Sequence, residues 1–429
     1  MSPTFHSLRN RNYRIYYAGG VVSNVGTWMQ RIAQDWLVIQ LADNDGVALG
    51  ITTGLQFLPM LLLGPWGGML ADRYSKRKLL ILTQAFMGVT AIALGVLDLT
   101  GVVAVWHVFV LAALLGLGTA VDNPARQSFV VEMVGSDDLP NAVGLNSASF
   151  NLGRVIGPAL AGLLIEVFDT GPVFIINGLS FLAVILALLR LHTDELEPAP
   201  RAGRGPGQVL EGIRYVRGRP DLVMVLALVF FVGTFGMNFQ ITTALMATEV
   251  FGKGAGEFGL LGSIMAIGSL TGALLAASRG RPRLRLLLGA AAAFGVVEVV
   301  AGLMPTYATF ALALIPVGVT SLTFITAANA TMQLAVDPVM RGRVMALYMA
   351  VFMGGTPIGA PLVGAVAEAF GARWSLLAGG IVSTTAAVVC AVVLSRRSGI
   401  ELRGEIRGLG RQRVPEETVP EESMAGSVR

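Results

Sequence analysis

A stripe of polar side chains runs along one side of the first long apolar segment, residues 14–40. Its members are spaced so that a helix brings them to one face, and they are Asn24, Thr27, Arg31, Gln34 and Asp35. Arg31 and Asp35 are four residues apart and can pair on a helix. A carboxyl in apolar surroundings can lose and regain a proton as its cationic partner and its access to water change. The spacing therefore favours Asp35 as a proton-binding residue, with a purely structural Arg–Asp pair as the alternative.

Other polar residues interrupt later apolar segments. Arg154 lies in the fifth, Asn238 and Gln240 lie in the seventh, and Glu298 lies in the ninth. Ionisable groups inside a membrane are costly and usually face a water-filled cavity. We therefore predict one cavity lined by Asp35, Arg31, Gln34, Asn24, Arg154, Asn238 and Gln240. The sequence leaves Glu298 open between a structural, a protonated and a near-surface position.

A short charged turn, GGMLADRYSKRK at residues 67–78, separates two apolar runs of about 20 residues. Such a short turn makes the flanking helices antiparallel neighbours. Gly68 is expected to allow close helix packing. We expect Asp72, beside Arg73 and Lys76, to accept hydrogen bonds from Arg77 and from a helix N-terminus of the other half. Such a latch would hold one face closed and would have to break for that face to open. The alternative for the cations is that they only fix the orientation of the chain.

A second segment combines small residues with a proline: Gly153, Gly157, Pro158 and Gly162. Small residues four apart let helices approach closely, and a proline inside a helix removes a backbone hydrogen bond and bends it. The segment predicts a tight, bent contact between helices. Generic helix packing is the alternative, since a similar pattern recurs at residues 355–364.

The composition places these residues in a membrane. Of the 429 residues, 54% are hydrophobic and only 14% are charged, whereas soluble domains carry about 25% charged residues. Apolar segments of about 20 residues indicate helices. We predict an all-α protein with twelve transmembrane spans, at residues 14–40, 49–70, 79–99, 105–124, 141–165, 172–191, 221–246, 257–278, 286–304, 307–328, 344–367 and 374–395.

The distribution of cations predicts the orientation. Of the 31 Lys and Arg residues, Lys253 and Arg373 lie on one side, Arg31 and Arg154 lie within spans, and the rest lie on the side of the N-terminus. Both termini are therefore expected in the cytoplasm. The basic charge then reports topology, and no nucleic-acid partner is expected. With one cysteine, Cys390, and no metal-binding or catalytic motif, we expect no metal, no cofactor and no enzyme activity.

An internal repeat divides the chain. Gly153, Gly157 and Gly162 recur as Gly355, Gly359 and Gly364 at a constant separation. The sequence predicts an N-terminal six-helix bundle at residues 1–191, a polar cytoplasmic linker at 192–220, a C-terminal six-helix bundle at 221–398, and a disordered cytoplasmic tail at 399–429.

The motifs resemble those of a known family. Gly68-x-x-x-Asp72-Arg73-x-Ser75-Lys76-Arg77 resembles the signature between the second and third helices of the major facilitator superfamily, with Ser75 where the family usually has glycine. The Gly153–Gly162 segment resembles a motif of its antiporters. The run at residues 5–38 and the segment GLGTAVDNPARQSF resemble the enterobactin-exporter-like branch, the transmembrane secretion effectors. We interpret residues 122–126 of that segment mainly as a helix end, with a gate as the alternative.

This resemblance implies a fold and a function. It implies two pseudo-symmetric six-helix bundles in the bacterial inner membrane, rocking about a cavity between spans 1, 2, 4, 5 and 7, 8, 10, 11. The expected activity is proton-coupled export of a small molecule such as a siderophore or hydrophobic drug, driven by the proton gradient and performed by a monomer within the lipid bilayer. An importer of a small metabolite and a transport-inactive scaffold or sensor are the alternatives.

Overall fold

A computed structural model describes residues 3–196, 208–277 and 284–398 of the chain, and over these residues the backbone is almost entirely helical. Twelve long helical segments follow one another. In chain order, α1 to α12 are Arg11–Leu41, Gly46–Arg73, Lys76–Leu99, Val105–Gly135, Asp137–Phe168, Thr170–Leu189, Pro220–Val250, Ala255–Ala277, Leu284–Gly302, Tyr307–Ala335, Arg341–Phe370 and Ala372–Ser398. Each of the twelve overlaps one predicted span, although α4 extends well beyond its predicted end at residue 124.

Eleven of these helices, α2 to α12, are long and apolar enough to cross a membrane. The first helix, α1, has 31 residues and reaches about 46 Å, but its polar stripe lowers its hydropathy. It packs against α5 and α6 inside the bundle, where polar side chains find partners away from lipid. The outer surface carries exposed apolar side chains such as Leu163, Val167 and Leu312, as a lipid-facing surface requires.

Equivalent contacts relate the two halves of the fold. Gly153 and Gly157 of α5 pack against α1, and Gly355 and Gly359 of α11 pack in the same way against α7. The turns that follow also correspond. Asp169 after α5 and Gly371 after α11 both have positive φ, at +65° and +92°. The pseudo-symmetric arrangement predicted from the glycine repeat is therefore present.

The segment at residues 122–126 is not a helix end, and our main interpretation of it was wrong. Helix α4 continues through Pro124 to Gly135, where φ is +70° and the chain bends into α5. A cluster of hydrogen bonds holds this part of α4. Asp122 is buried and accepts from Thr83, from Gln84 and, twice, from Arg126. All four hydrogen bonds of this carboxylate therefore come from residues of the N-terminal half.

Close contacts between the halves lie towards one end of the bundle. We call the end where α1 begins the terminal face and the other end the opposite face. A methyl group built on Gly46 of α2 would lie 2.8 Å from the backbone oxygen of Gly364 of α11. One built on Gly162 of α5 would lie 2.7 Å from that of Ala255 of α8. These two seams, α2–α11 and α5–α8, close the molecule at the opposite face.

Part of the predicted linker is helical. Gln208–Arg217 forms a short helix whose Glu211 pairs with Arg343 at 2.7 Å, and Tyr215 donates a hydrogen bond to Asp337. This linker helix therefore docks on the α10–α11 turn at the terminal face. The remainder of the linker at 197–207, the turn at 278–283 and the predicted tail at 399–429 lie outside the described residues.

Candidate functional site

A cavity of about 310 Å³ lies between the halves at mid-depth, and it is partly open to solvent. Helices α1, α2, α5, α7, α8 and α11 supply its lining residues, while the expected α4 and α10 supply none of them. Its apolar wall consists mainly of Trp28, Phe57, Phe150, Phe239, Met265 and Phe352. Because the seams close the opposite face, the cavity faces the terminal face in this state.

Four of the predicted residues line this cavity: Arg31, Arg154, Asn238 and Gln240. Arg31 lies over the ring of Trp28, at 4.7 Å from its centroid, and near that of Phe57, at 5.4 Å. Arg154 approaches Trp28 more distantly, at 5.9 Å, and donates a hydrogen bond to Ser269 of α8. Two guanidinium groups therefore lie near one indole, and the lining includes no carboxylate among the described residues.

Asp35 lies one helical turn beyond Arg31 towards the opposite face. Its side chain is 2% exposed, and its Oδ2 atom has no hydrogen-bond partner among the described residues. Within that part of the chain no ion pair joins Asp35 to Arg31, whose guanidinium is held by aromatic rings instead. Arg31 and Asp35 are thus one turn apart on the same helix, as predicted, but their side chains do not form an ion pair. Next to Asp35, Trp36 stacks on Phe258 of α8 and covers this part of α1.

The remaining stripe residues do not line the cavity. Asn24 donates a hydrogen bond to Ser149 of α5, and Gln34 is buried. Gln30, on the adjoining face, accepts a hydrogen bond from Asn177 of α6. These contacts join α1 to its own half. Some residues of the stripe therefore hold α1 in its own half, whereas Arg31 lines the cavity. Helical spacing alone does not distinguish the two groups.

The Gly153–Gly162 segment joins three helices. Gly153 and Gly157 contact α1, whereas Pro158 and Gly162 contact α8 of the other half. Ser263 of α8 inserts into the α5 backbone at the bend, where its hydroxyl donates to the Val155 oxygen at 2.6 Å and accepts from the Ala159 N–H at 3.1 Å. Ser263 thereby bridges two groups that would otherwise bond to each other in a regular helix. The segment is a tight seam between the halves.

The charged turn holds the N-terminal half together at the terminal face. Lys76 pairs with Glu132 of α4. Arg77 donates to the backbone oxygens of Leu188 and Leu189 at the end of α6, where a cation favours the helix dipole. The structure thus gives Arg77 acceptors other than the predicted Asp72. Gly68 is buried, Asp72 is partly buried and Arg73 is exposed, and a latch at Asp72 stays a prediction.

Helix α7 is interrupted where it meets the cavity. A π-helical turn spans Val232–Gly236, and Met237 and Asn238 have non-helical backbone angles before the helix resumes at Phe239. Asn238 donates to the Thr234 backbone oxygen at 2.7 Å. The sequence predicted one continuous span here. Interrupted membrane helices are tolerated where they line a cavity, and π-turns often mark functional sites.

Several cavity residues were missed by the sequence reasoning. Phe57, Met265 and Phe352 look like ordinary membrane-span residues, and no sequence signal distinguishes them. Ser263 was also missed, because its partners, the Val155 oxygen and the Ala159 N–H, lie on α5 in the other half of the chain. The sequence reasoning also missed Gly67, which closely approaches the backbone of Ala120 on α4.

Comparison with known proteins places the chain among membrane transporters. The model of the family described as "transmembrane secretion effector" matches residues 2–419. The chain is similar to macrolide efflux protein A of Streptococcus pyogenes, with 24% identity over 401 residues, which cover 91% of this chain and 97% of that protein. It is also similar to the enterobactin exporter EntS of Shigella boydii, with 28% identity over 324 residues, 74% of this chain and 76% of the exporter.

A solved structure shares the fold. A bacterial homologue of the human lysosomal transporter Spinster, in an inward-facing and occupied conformation, superposes with a TM-score of 0.73. The match covers 90% of this chain and 97% of that one, at 15% sequence identity. At this identity the likeness shows the architecture alone.

Proposed function

This chain belongs to the transmembrane secretion effector family of major facilitator transporters, and on that basis we propose that it exports a small molecule in exchange for protons. It is a multi-pass membrane protein and a transporter, not an enzyme. The observation that carries the proposal is a central cavity lined by Arg31, with the buried carboxyl of Asp35 one helical turn farther along α1. We place it in a bacterial inner membrane as a monomer, with the terminal face towards the cytoplasm.

The lining chemistry supports a substrate with flat apolar groups and hydrogen-bond acceptors. Aromatic rings and Met265 offer an apolar surface, while Arg31 and Arg154 offer hydrogen-bond donors near Trp28. Small-molecule pockets commonly occupy about 300–1,000 Å³, and this cavity, at about 310 Å³, is at the lower end of that range. A macrolide and enterobactin, the molecules named for two relatives, are therefore suitable first probes of this lining.

The position of Asp35 supports alternating access for the proton. In the present state the α5–α8 seam and the Trp36–Phe258 stack shield its carboxyl from the opposite face, and it is 2% exposed. Separating the two halves at that face would expose it to water there. A proton would then enter from the opposite face while the substrate leaves, and it would be released after the seam closes again.

The test uses the full chain in oriented proteoliposomes with three probes: ethidium, a macrolide and enterobactin. We expect movement of at least one probe towards the opposite face, with proton release in exchange. Asp35→Asn should bind that probe but lose stimulation by a pH gradient. Asp45→Asn is the matched control, because Asn also serves as an N-cap at the start of α2, where Asp45 accepts from two backbone N–H groups.

The alternatives give different outcomes. Probe transport that is indifferent to collapse of the pH gradient contradicts proton exchange. Gradient-driven movement only towards the terminal face indicates an importer. Failure of every probe to move, with binding retained, favours a scaffold or sensor.

A further inference from the structure

Glu298 on α9 is a buried carboxyl away from the central cavity. It is 1% exposed and faces the interior, against the interrupted part of α7 and against α12. A methyl group built on Gly236 of α7 would lie 3.1 Å from its Oε2 atom, and one built on Gly379 of α12 would lie 2.9 Å from its Oε1 atom. The two glycines therefore leave the space that the carboxyl occupies.

A second buried oxygen reaches the same place. The Ser383 hydroxyl of α12 would lie 2.6 Å from the same methyl group on Gly236, and Ser383 is 0% exposed. Neither Ser383 Oγ nor Glu298 Oε2 has a hydrogen-bond partner among the described residues, so the two oxygens do not bond to each other. The Phe235 backbone oxygen borders the site as well, 2.6 Å from a methyl group on Gly379. Oxygen atoms thus converge on one small buried space.

No protein cation neutralises this carboxyl within the described residues. Among the described side chains, the titratable and charged groups on the helices packed around α9 are Asp221 and Glu249 on α7, Tyr307 on α10, and Arg373 and Cys390 on α12. None makes a hydrogen bond or ion pair with Glu298. Arg373 instead donates to the backbone oxygens of Gly302 and Met304. A bare carboxylate buried in this way costs several kcal/mol, so it needs an external positive partner.

We propose that Glu298, Ser383 and the interrupted segment of α7 form a binding site for a small monovalent cation, either a proton or Na⁺. Both would neutralise the carboxyl, and Na⁺ would in addition use the hydroxyl and backbone oxygens. Interrupted membrane helices bind ions through such oxygens in other transporters. The site lies in the half that lacks Asp35, and it depends neither on the identity of the transported molecule nor on Asp35.

The site is connected to the cavity through α7. Gly236 contacts Glu298, and the next two residues, Met237 and Asn238, line the cavity. A cation bound at Glu298 would therefore stabilise the interrupted conformation of the cavity wall. Loss of the cation would leave a charged carboxylate against Gly236 and destabilise that conformation.

The test measures thermal unfolding of the purified full chain in nanodiscs, from acidic to alkaline pH, with Na⁺ or with N-methylglucamine as the only cation. We expect the Tm of the wild type to fall by several degrees as the pH rises without Na⁺, because the proton is lost. Glutamine at position 298 carries no charge, so the Tm of Glu298→Gln should fall less than that of the wild type as the pH rises. If Na⁺ restores the wild-type Tm at alkaline pH, the ligand is Na⁺; if not, it is a proton alone.

The same pH and Na⁺ dependence in wild type and Glu298→Gln would overturn the proposal. If Glu298→Gln does not fold, the proposal can be tested on the wild type by labelling with dicyclohexylcarbodiimide, which modifies protonated carboxyls. Mass spectrometry measures the labelling at Glu298. Labelling should decrease several-fold with rising pH or with added Na⁺. Labelling that is independent of both refutes a cation site. In the Na⁺ case, Ser383→Ala should shift the protecting Na⁺ concentration upwards.

Discussion

Gly162→Ala should move the resting equilibrium away from the state described here. Gly162 lies in the α5–α8 seam, where a methyl group would be 2.7 Å from the Ala255 oxygen, 3.0 Å from the Gly256 Cα atom and 3.1 Å from the Gly256 oxygen. All three atoms belong to the backbone, so no side-chain rotation can relieve the overlap. The two helices must separate, or the seam must open.

The size of the effect follows from this geometry. Inserting one methyl group into a tightly packed contact typically costs about 1–3 kcal/mol. The cost applies only while the seam is closed, because the methyl group has no neighbour once α5 and α8 part at the opposite face. The equilibrium should therefore shift towards the state open at that face by about 5- to 150-fold.

Cysteine labelling measures the shift. In a Cys390→Ser background, Leu49→Cys places a thiol at a residue that is 0% exposed in α2 near the closed opposite face. Its reaction with a water-soluble maleimide in nanodiscs should accelerate when Gly162→Ala is added. Gly144→Ala is the matched control on the same helix, since a methyl group there meets nothing within 4 Å.

Equal labelling rates in Gly162→Ala and Gly144→Ala would refute the assignment of this seam as the contact that closes the opposite face. Should Gly162→Ala fold poorly, Ser263→Ala offers a milder change. It removes two hydrogen bonds across the same seam, each worth about 1 kcal/mol, and should accelerate labelling in the same direction.

Three further changes separate structural from functional contacts. Asp122→Asn should lower the free energy of unfolding by about 3 kcal/mol, measured by chemical denaturation in detergent, because Arg126 loses its buried carboxylate; an unchanged stability contradicts a structural role. Trp28→Ala should weaken probe binding about tenfold, measured by equilibrium binding, while the pH-gradient dependence persists; unchanged binding would exclude Trp28 from the substrate site. Glu211→Gln should change stability by less than about 1 kcal/mol, since its ion pair with Arg343 is half-exposed; a larger loss in thermal unfolding would contradict this.

The twelve helices were predictable because the bilayer imposes a simple rule. Each span needs about 20 apolar residues, and the cations accumulate in the loops on one side. The glycine repeat was also readable, since Gly153 and Gly355 stand at corresponding places in the two halves. The end of α4 was not predictable. We interpreted residues 122–126 mainly as a helix end, but the ion pair of buried Asp122 with Arg126 lies inside a helix that continues to Gly135.

The site was only partly predictable, because spacing along one helix does not identify the partner on another. Asn24 and Arg31 belong to the same stripe, yet Asn24 bonds to Ser149 while Arg31 faces the cavity. Ser263 acts 104 residues away from Ala159, in the other half of the chain. Its role exists only after both halves have folded and met, so no local pattern contains it.

The two halves share their glycine packing but differ in their polar residues, and this difference bears on where coupling resides. Gly157 packs on α1 and Gly359 packs on α7 in the same way. However, α1 is a continuous helix that carries Arg31 and Asp35. Helix α7 is interrupted, and the carboxyl that lies against its interrupted part is Glu298 of α9. These glycine contacts lie within each half and are equivalent, so they do not by themselves distinguish one face from the other. A directional transporter needs an asymmetric element, and the two proposed carboxyl sites, which differ between the halves, can supply it.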